Sequence, residues 1–137
     1  MTTYPRLLQT VLDTTDVRGL AEFYRALLGL DYRPGDEPPA PGEPDDADWL
    51  VLLAPDGGRR LAFQETAVVH HTTWPAPDVP MQLHLDLTVA STAELEEVRA
   101  RALALGATHL LDRTDDPDEP LHVLADPAGH PFCVFVA

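Results

Sequence analysis

Along the stretch Gln82 to Val89, Leu83, Leu85, Leu87 and Val89 alternate with Gln82, His84, Asp86 and Thr88. That two-residue period predicts a strand with one apolar face and one face carrying an imidazole and a carboxylate. Leu7 to Asp13 alternates more weakly and predicts a second such strand, with Gln9 facing as His84 does. Between the two, Val17, Leu20, Ala21, Tyr24, Leu27 and Leu28 recur at helical spacing. Asp16 precedes this helix as an N-cap, and Gly29 follows it as a left-handed terminus. A second helix is marked by Ser91 and Glu94, the spacing of a capping box. Its apolar stripe is Leu95, Val98, Ala102 and Leu105, Glu97 and Arg101 form an i,i+4 pair on its wet face, and Gly106 ends it.

The remaining apolar runs are short enough to be strands: 31–33, 49–53, 60–65, 108–111, 121–125 and 132–136. Turns at Pro55-Asp56-Gly57-Gly58 and Asp126-Pro127-Ala128-Gly129 join two pairs of them. Residues 34–48, with five prolines and six carboxylates, and the connector 66–81, with three prolines, predict irregular segments. Residues 112–120 predict an acidic loop.

Written in order, the chain reads strand, helix, three strands, and then the same again. Gln9 and His84, Asp16 and Ser91, and Leu20 and Leu95 each stand 75 residues apart. Gly29 and Gly106 stand 77 apart, and Phe63-Gln64 and Phe132-Cys133 stand 69 apart. A repeat of this size implies two modules, about 5–66 and about 82–137, joined by a linker at about 67–81, within one domain, because neither half could bury a sufficient core alone. With helices on the outer faces, Gln9, Gln64, His84 and Cys133 are expected to point into one concavity.

Composition narrows the partners. The 137 residues carry 23 acidic and 9 basic side chains, a net charge of −14, and all nine basic residues are arginine. No basic stripe suits nucleic acid, and no apolar run approaches the roughly 20 residues that span a bilayer. A single cysteine excludes an internal disulfide, and the first residues lack a signal pattern, so a cytoplasmic protein is expected.

Four stretches, 7–12, 23–30, 83–89 and 126–132, in this order and spacing, resemble the vicinal oxygen chelate superfamily, which includes glyoxalase I, extradiol dioxygenases and fosfomycin and bleomycin resistance proteins. The resemblance covers nearly the whole chain. It implies an α+β fold of two βαβββ modules forming a glyoxalase-like open barrel with an internal cleft, a small-molecule ligand and a homodimer. In metal-using relatives a divalent ion is held by the first and fourth strands of each module; those positions here are Gln9, Gln64, His84 and Cys133. Gln64 and Cys133 stand where glyoxalase I has glutamates, so the expected cofactor is none or a divalent metal on an incomplete set of donors, and glyoxalase I activity is not expected.

Two functions remain open. One is a lyase or isomerase acting on an oxygenated or aromatic metabolite, with His84 transferring a proton and Asp86 orienting it. The other is a binding protein that sequesters a drug or metabolite, with Trp74 supplying a stacking surface. Each residue also has a plainer reading. His84 could be a hydrogen-bonded cleft residue, Cys133 a small buried hydrophobe, and His70, His71 and Trp74 linker residues.

Overall fold

A computed structural model describes residues 1–137. The chain forms two compact units, 1–67 and 68–137. The first contains strand β1 (Thr10–Thr14), helix α1 (Val17–Leu28) and strands β2 (Asp31–Tyr32), β3 (Trp49–Leu53) and β4 (Arg59–Glu65). The second contains β5 (Leu85–Val89), α2 (Thr92–Ala104), β6 (Thr108–Asp112), β7 (Leu121–Ala125) and β8 (Pro131–Val136). The sheets have matching orders, β1-β4-β3-β2 and β5-β8-β7-β6. In each, the first strand runs parallel to the fourth and the other neighbours are antiparallel. The fold is α+β, built twice from a βαβββ module.

In the first unit the helix sits on the even-numbered face of β1. Leu12 and Thr14 are buried there, whereas Val11 and Asp13 are exposed. Tyr24 of α1 stacks on Phe63 of β4 at 6.0 Å, and Phe23 meets Tyr24 edge-on at 4.9 Å. Leu61 and Phe63 therefore face the helix, and Ala62 and Gln64 face away from it, as alternation requires. Asp16 caps the helix by accepting from Gly19 N–H at 2.9 Å. Gly29 ends it at φ 67°, a conformation that a Cβ disfavours.

The acidic loop 34–48 is irregular, as composition predicts, but it is tied down by polar bonds. Arg18 of α1 donates to Asp45 at 2.7 Å and to the Asp36 carbonyl at 2.7 Å, and lies over the Tyr32 ring at 5.0 Å. Asp36 accepts from Val51 N–H at 2.9 Å. One arginine and one loop carboxylate thus fix a segment whose apolar content cannot fix itself.

In the second unit Ser91 caps α2, accepting from Glu94 N–H at 3.2 Å. The return bond of the expected capping box lands one residue early, on Ala90 N–H at 2.8 Å. The apolar stripe is also thinner than its spacing predicts. Leu95 and Ala102 are buried, but Val98 and Leu105 are only half-buried. The connector forms a closed loop. Val79 N–H donates to Thr73 Oγ1 at 2.8 Å, while Thr72 Oγ1 and Thr73 N–H donate to the Val79 carbonyl at 2.6 and 3.0 Å.

Two strands start later than alternation predicts. The β5–β8 ladder begins at Leu85 opposite Phe132. One step earlier stands Pro131, which has no N–H to donate. The β1–β4 ladder begins at Thr10 opposite Leu61. Gln9 and His84 each occupy the residue just before their strand, still 75 apart. The ladders also correct the later landmark of the repeat. Thr10 matches Leu85 and Leu61 matches Phe132, an offset of 132 − 61 = 71. Cys133 is therefore the counterpart of Ala62, and Gln64 that of Phe135.

Candidate functional site

Three of the predicted residues converge on one face of the second sheet. Leu85 and Leu87 align with Phe132 and Val134 on the helix side, so Asp86 and its ladder partner Cys133 share the opposite face. His84, two residues before Asp86, has its Nε2 3.2 Å from Asp86 Oδ1. Ligand atoms of His84, Asp86 and Cys133 all lie within 4.8 Å of one another. The His84 and Asp86 side chains are 40% and 57% exposed, which leaves them open to a small molecule.

The chemistry of the trio follows from its contacts. The pair is a close charge contact rather than an aligned hydrogen bond; an ionised Asp86, which only accepts, favours the His84 tautomer that carries its proton on Nε2. Nδ1 is then a free base. Burial, and next the carboxylates of Asp86 and Glu119, push the Cys133 thiol above its ordinary range, so it stays protonated and is a poor nucleophile.

The other predicted residues lie elsewhere. Gln9 and Gln64 belong to the first unit: Gln9 is half-buried with an unpartnered, buried Oε1, and Gln64 is exposed opposite Asp13. Trp74 is half-buried in the closed connector loop. His71 has a distinct place in that connector. A Cβ on Gly129 would lie 2.5 Å from His71 Cγ, so the imidazole rests directly on the glycine of the β7–β8 turn. Beside it is a cavity of about 180 Å³ lined by His71, Thr72, Thr108, Leu110 and the buried Asp126, among others. His109 and His122 lie outside the residues that the sequence pattern marks for function. They form a hydrogen-bonded chain with Glu96, of which only His122 is buried, and the alternation of His122 with Leu124 was the available sign.

The family profile described as glyoxalase-like domain matches residues 9–135. The chain belongs to the glyoxalase-like domain family. Solved structures share its fold at low identity. A glyoxalase/bleomycin resistance protein/dioxygenase family enzyme from Burkholderia phytofirmans PsJN is 14% identical at a TM-score of 0.68, covering 94% of this chain and 96% of its own. The fosfomycin resistance protein FosX from Listeria monocytogenes is 15% identical at 0.67, covering 98% and 95%. A possible glyoxalase from Bacillus cereus is 16% identical at 0.63, covering 94% and 96%. No curated protein sequence matches the chain. At these identities the structural likeness carries the fold alone.

The divalent ion of metal-using relatives does not fit the donors of this glyoxalase-like domain. In the ladder that Gln9 precedes, the position equivalent to Cys133 is Ala62, which has no donor atom. Gln64 lies two residues further along β4, beside Asp13. At the relatives' positions the first unit therefore offers two neutral amides at different heights along the sheet, where a hard cation prefers carboxylate or imidazole. In the second unit the relatives' two positions are His84, an imidazole, and Cys133, a soft thiol that must release its proton to ligate, so one strong donor remains of the four. No helix is long and apolar enough to cross a membrane.

Proposed function

We propose that this glyoxalase-like domain binds a small oxygenated or aromatic metabolite against the face bearing His84, Asp86 and Cys133, and moves a proton within it as a lyase or isomerase. The observation that carries this reading is the His84 Nε2 to Asp86 Oδ1 approach of 3.2 Å. A carboxylate beside one ring nitrogen favours the proton there and leaves the other nitrogen as a base able to take a proton from a carbon next to a carbonyl. Asp86 also stabilises the imidazolium formed by that transfer. Glyoxalase I chemistry is not part of the proposal, because Gln64 is a neutral amide and Cys133 a protonated thiol.

The test is hydrogen–deuterium exchange, by proton NMR in D₂O, at the carbon next to the carbonyl in a panel of hydroxyketones and aryl ketones. The wild type should accelerate exchange in at least one compound. His84→Ala should lower that rate by about 10²–10⁴-fold while the compound still binds, the usual contribution of a general base. Asp86→Asn should reduce it less and change its pH profile. A compound that binds stoichiometrically and leaves unchanged, with no exchange in any member, would favour sequestration instead. Trp74→Ala would then be expected to weaken binding by removing a stacking surface.

A further inference from the structure

His122 is 1% exposed, yet both of its ring nitrogens have partners on other elements. Its Nε2 lies 2.7 Å from Glu96 Oε1 of α2, and its Nδ1 lies 2.9 Å from His109 Nε2 of β6. The two rings meet at 69° with centroids 5.0 Å apart. The other Glu96 oxygen is held by Arg99 Nε at 3.0 Å. One polar chain thus runs from the helix through the middle of the sheet to its edge strand. It crosses the unit whose helix buries only Leu95 and Ala102.

We propose that the Glu96–His122–His109 chain is an acid-sensitive latch that holds α2 on the second sheet. The proton arrangement follows from the partners. Glu96 only accepts, so His122 donates from Nε2. His122 Nδ1 then accepts from His109 Nε2–H, and Nδ1 of His109 is left free. One added proton, on His109 Nδ1, leaves both bonds intact but charges a ring whose burial disfavours the charge. A second proton, on His122, points two N–H groups at each other across 2.9 Å and breaks the imidazole–imidazole bond.

The charged groups facing the latch are Glu96 and Arg99 from α2 and Asp112 from β6, and β8 places the apolar Val134 beside His122. Burial, then His122 and Arg99, hold His109 below the ordinary histidine range, against the opposing pull of Asp112 and Glu96. The bonds to His122 and Arg99 hold Glu96 below the ordinary carboxylate range, although burial opposes them. Both shifts have the same sign. A depressed pKa in the folded state contributes stability that is present above the unfolded value and lost as pH falls through the folded one. His109 therefore withdraws its contribution below pH 6.5, its ordinary value, and Glu96 below 4.5. The latch is closed at neutral pH and opens in acid.

The experiment is amide hydrogen exchange of α2 and α1 in the same full-length protein between pH 7 and pH 4, expressed as protection factors. Long-range proton–nitrogen NMR of the imidazoles reports the tautomers. In the wild type, α2 protection should fall by about tenfold or more relative to α1 as pH falls, equivalent to about 1.4 kcal/mol. His122 should carry its proton on Nε2 at pH 7. Glu96→Ala, on a half-exposed side chain whose loss leaves the core in place, should lower α2 protection at pH 7 and remove most of its pH dependence. His109→Gln, which still offers an N–H to His122, should keep α2 protected at pH 7 and move the loss to lower pH. A ratio of α2 to α1 protection that is constant with pH, unchanged α2 protection in Glu96→Ala, or an Nδ1-protonated His122 at pH 7 would each overturn the proposal.

Discussion

The two modules share one strand order and one cap position, yet attach their helices by different physics. Helix α1 buries Val17, Leu20, Ala21, Phe23, Tyr24 and Leu27, and presses an aromatic ring onto Phe63. Helix α2 buries Leu95 and Ala102 and adds a charged hydrogen bond that Glu96 accepts from a fully buried histidine. Apolar burial does not change with pH, whereas the polar chain does. The repeat therefore duplicates topology without duplicating the source of stability. The same asymmetry extends to chemistry, because the face with His84, Asp86 and Cys133 has Gln9, Val11 and Ala62 at its counterparts.

Substitutions can break this comparison at graded depth. The largest effect is expected from Phe63→Ala, which leaves a cavity under Tyr24 and should cost about 3–5 kcal/mol in urea unfolding. Val98→Ala, at a half-buried position of α2, should cost about 1 kcal/mol in the same measurement, since less apolar area is lost. Equal losses at the two sites would remove the distinction between the helices. Gly129→Ala should displace His71 and force a side chain into φ 93°, at a cost of about 1–3 kcal/mol. Its readout is faster proteolysis in the connector, with the α1 amides unaffected. The caps match Val98→Ala in size: Asp16→Ala and Ser91→Ala should each cost about 1 kcal/mol. The Asp16 change is expected to be the larger, because its bond is charge-assisted and shorter, 2.9 Å against 3.2 Å.

Much of this architecture was legible in the hydropathy pattern. The helices, their caps at Asp16 and Ser91 and the facing of Ala62 and Gln64 follow from periods of 3.6 and 2, which are local properties of the chain. What failed depended on partners far along it. The starts of β1 and β5 are set by where the fourth strand of each sheet can pair, and for β5 Pro131 ends that pairing. Matching Gln64 to Cys133 by a Phe-polar dipeptide missed the register by two residues, and with it the mismatch of the donor sets. The order of the 34–48 loop depends on Arg18, eighteen residues before Asp36. The Glu96–His122–His109 chain joins three elements at separations of 26 and 13 residues, which no periodicity reports.

We propose that this glyoxalase-like domain works through an imidazole–carboxylate pair on its second sheet rather than through a bound divalent cation. Calorimetric titration of zinc, nickel, manganese and magnesium into protein purified without added metal or a histidine tag tests it most directly. The donor chemistry predicts no tight, stoichiometric binding by any of the four at pH 7. Tight binding of one ion per chain, abolished by His84→Ala, would contradict the account and make His84 a metal ligand instead of a base.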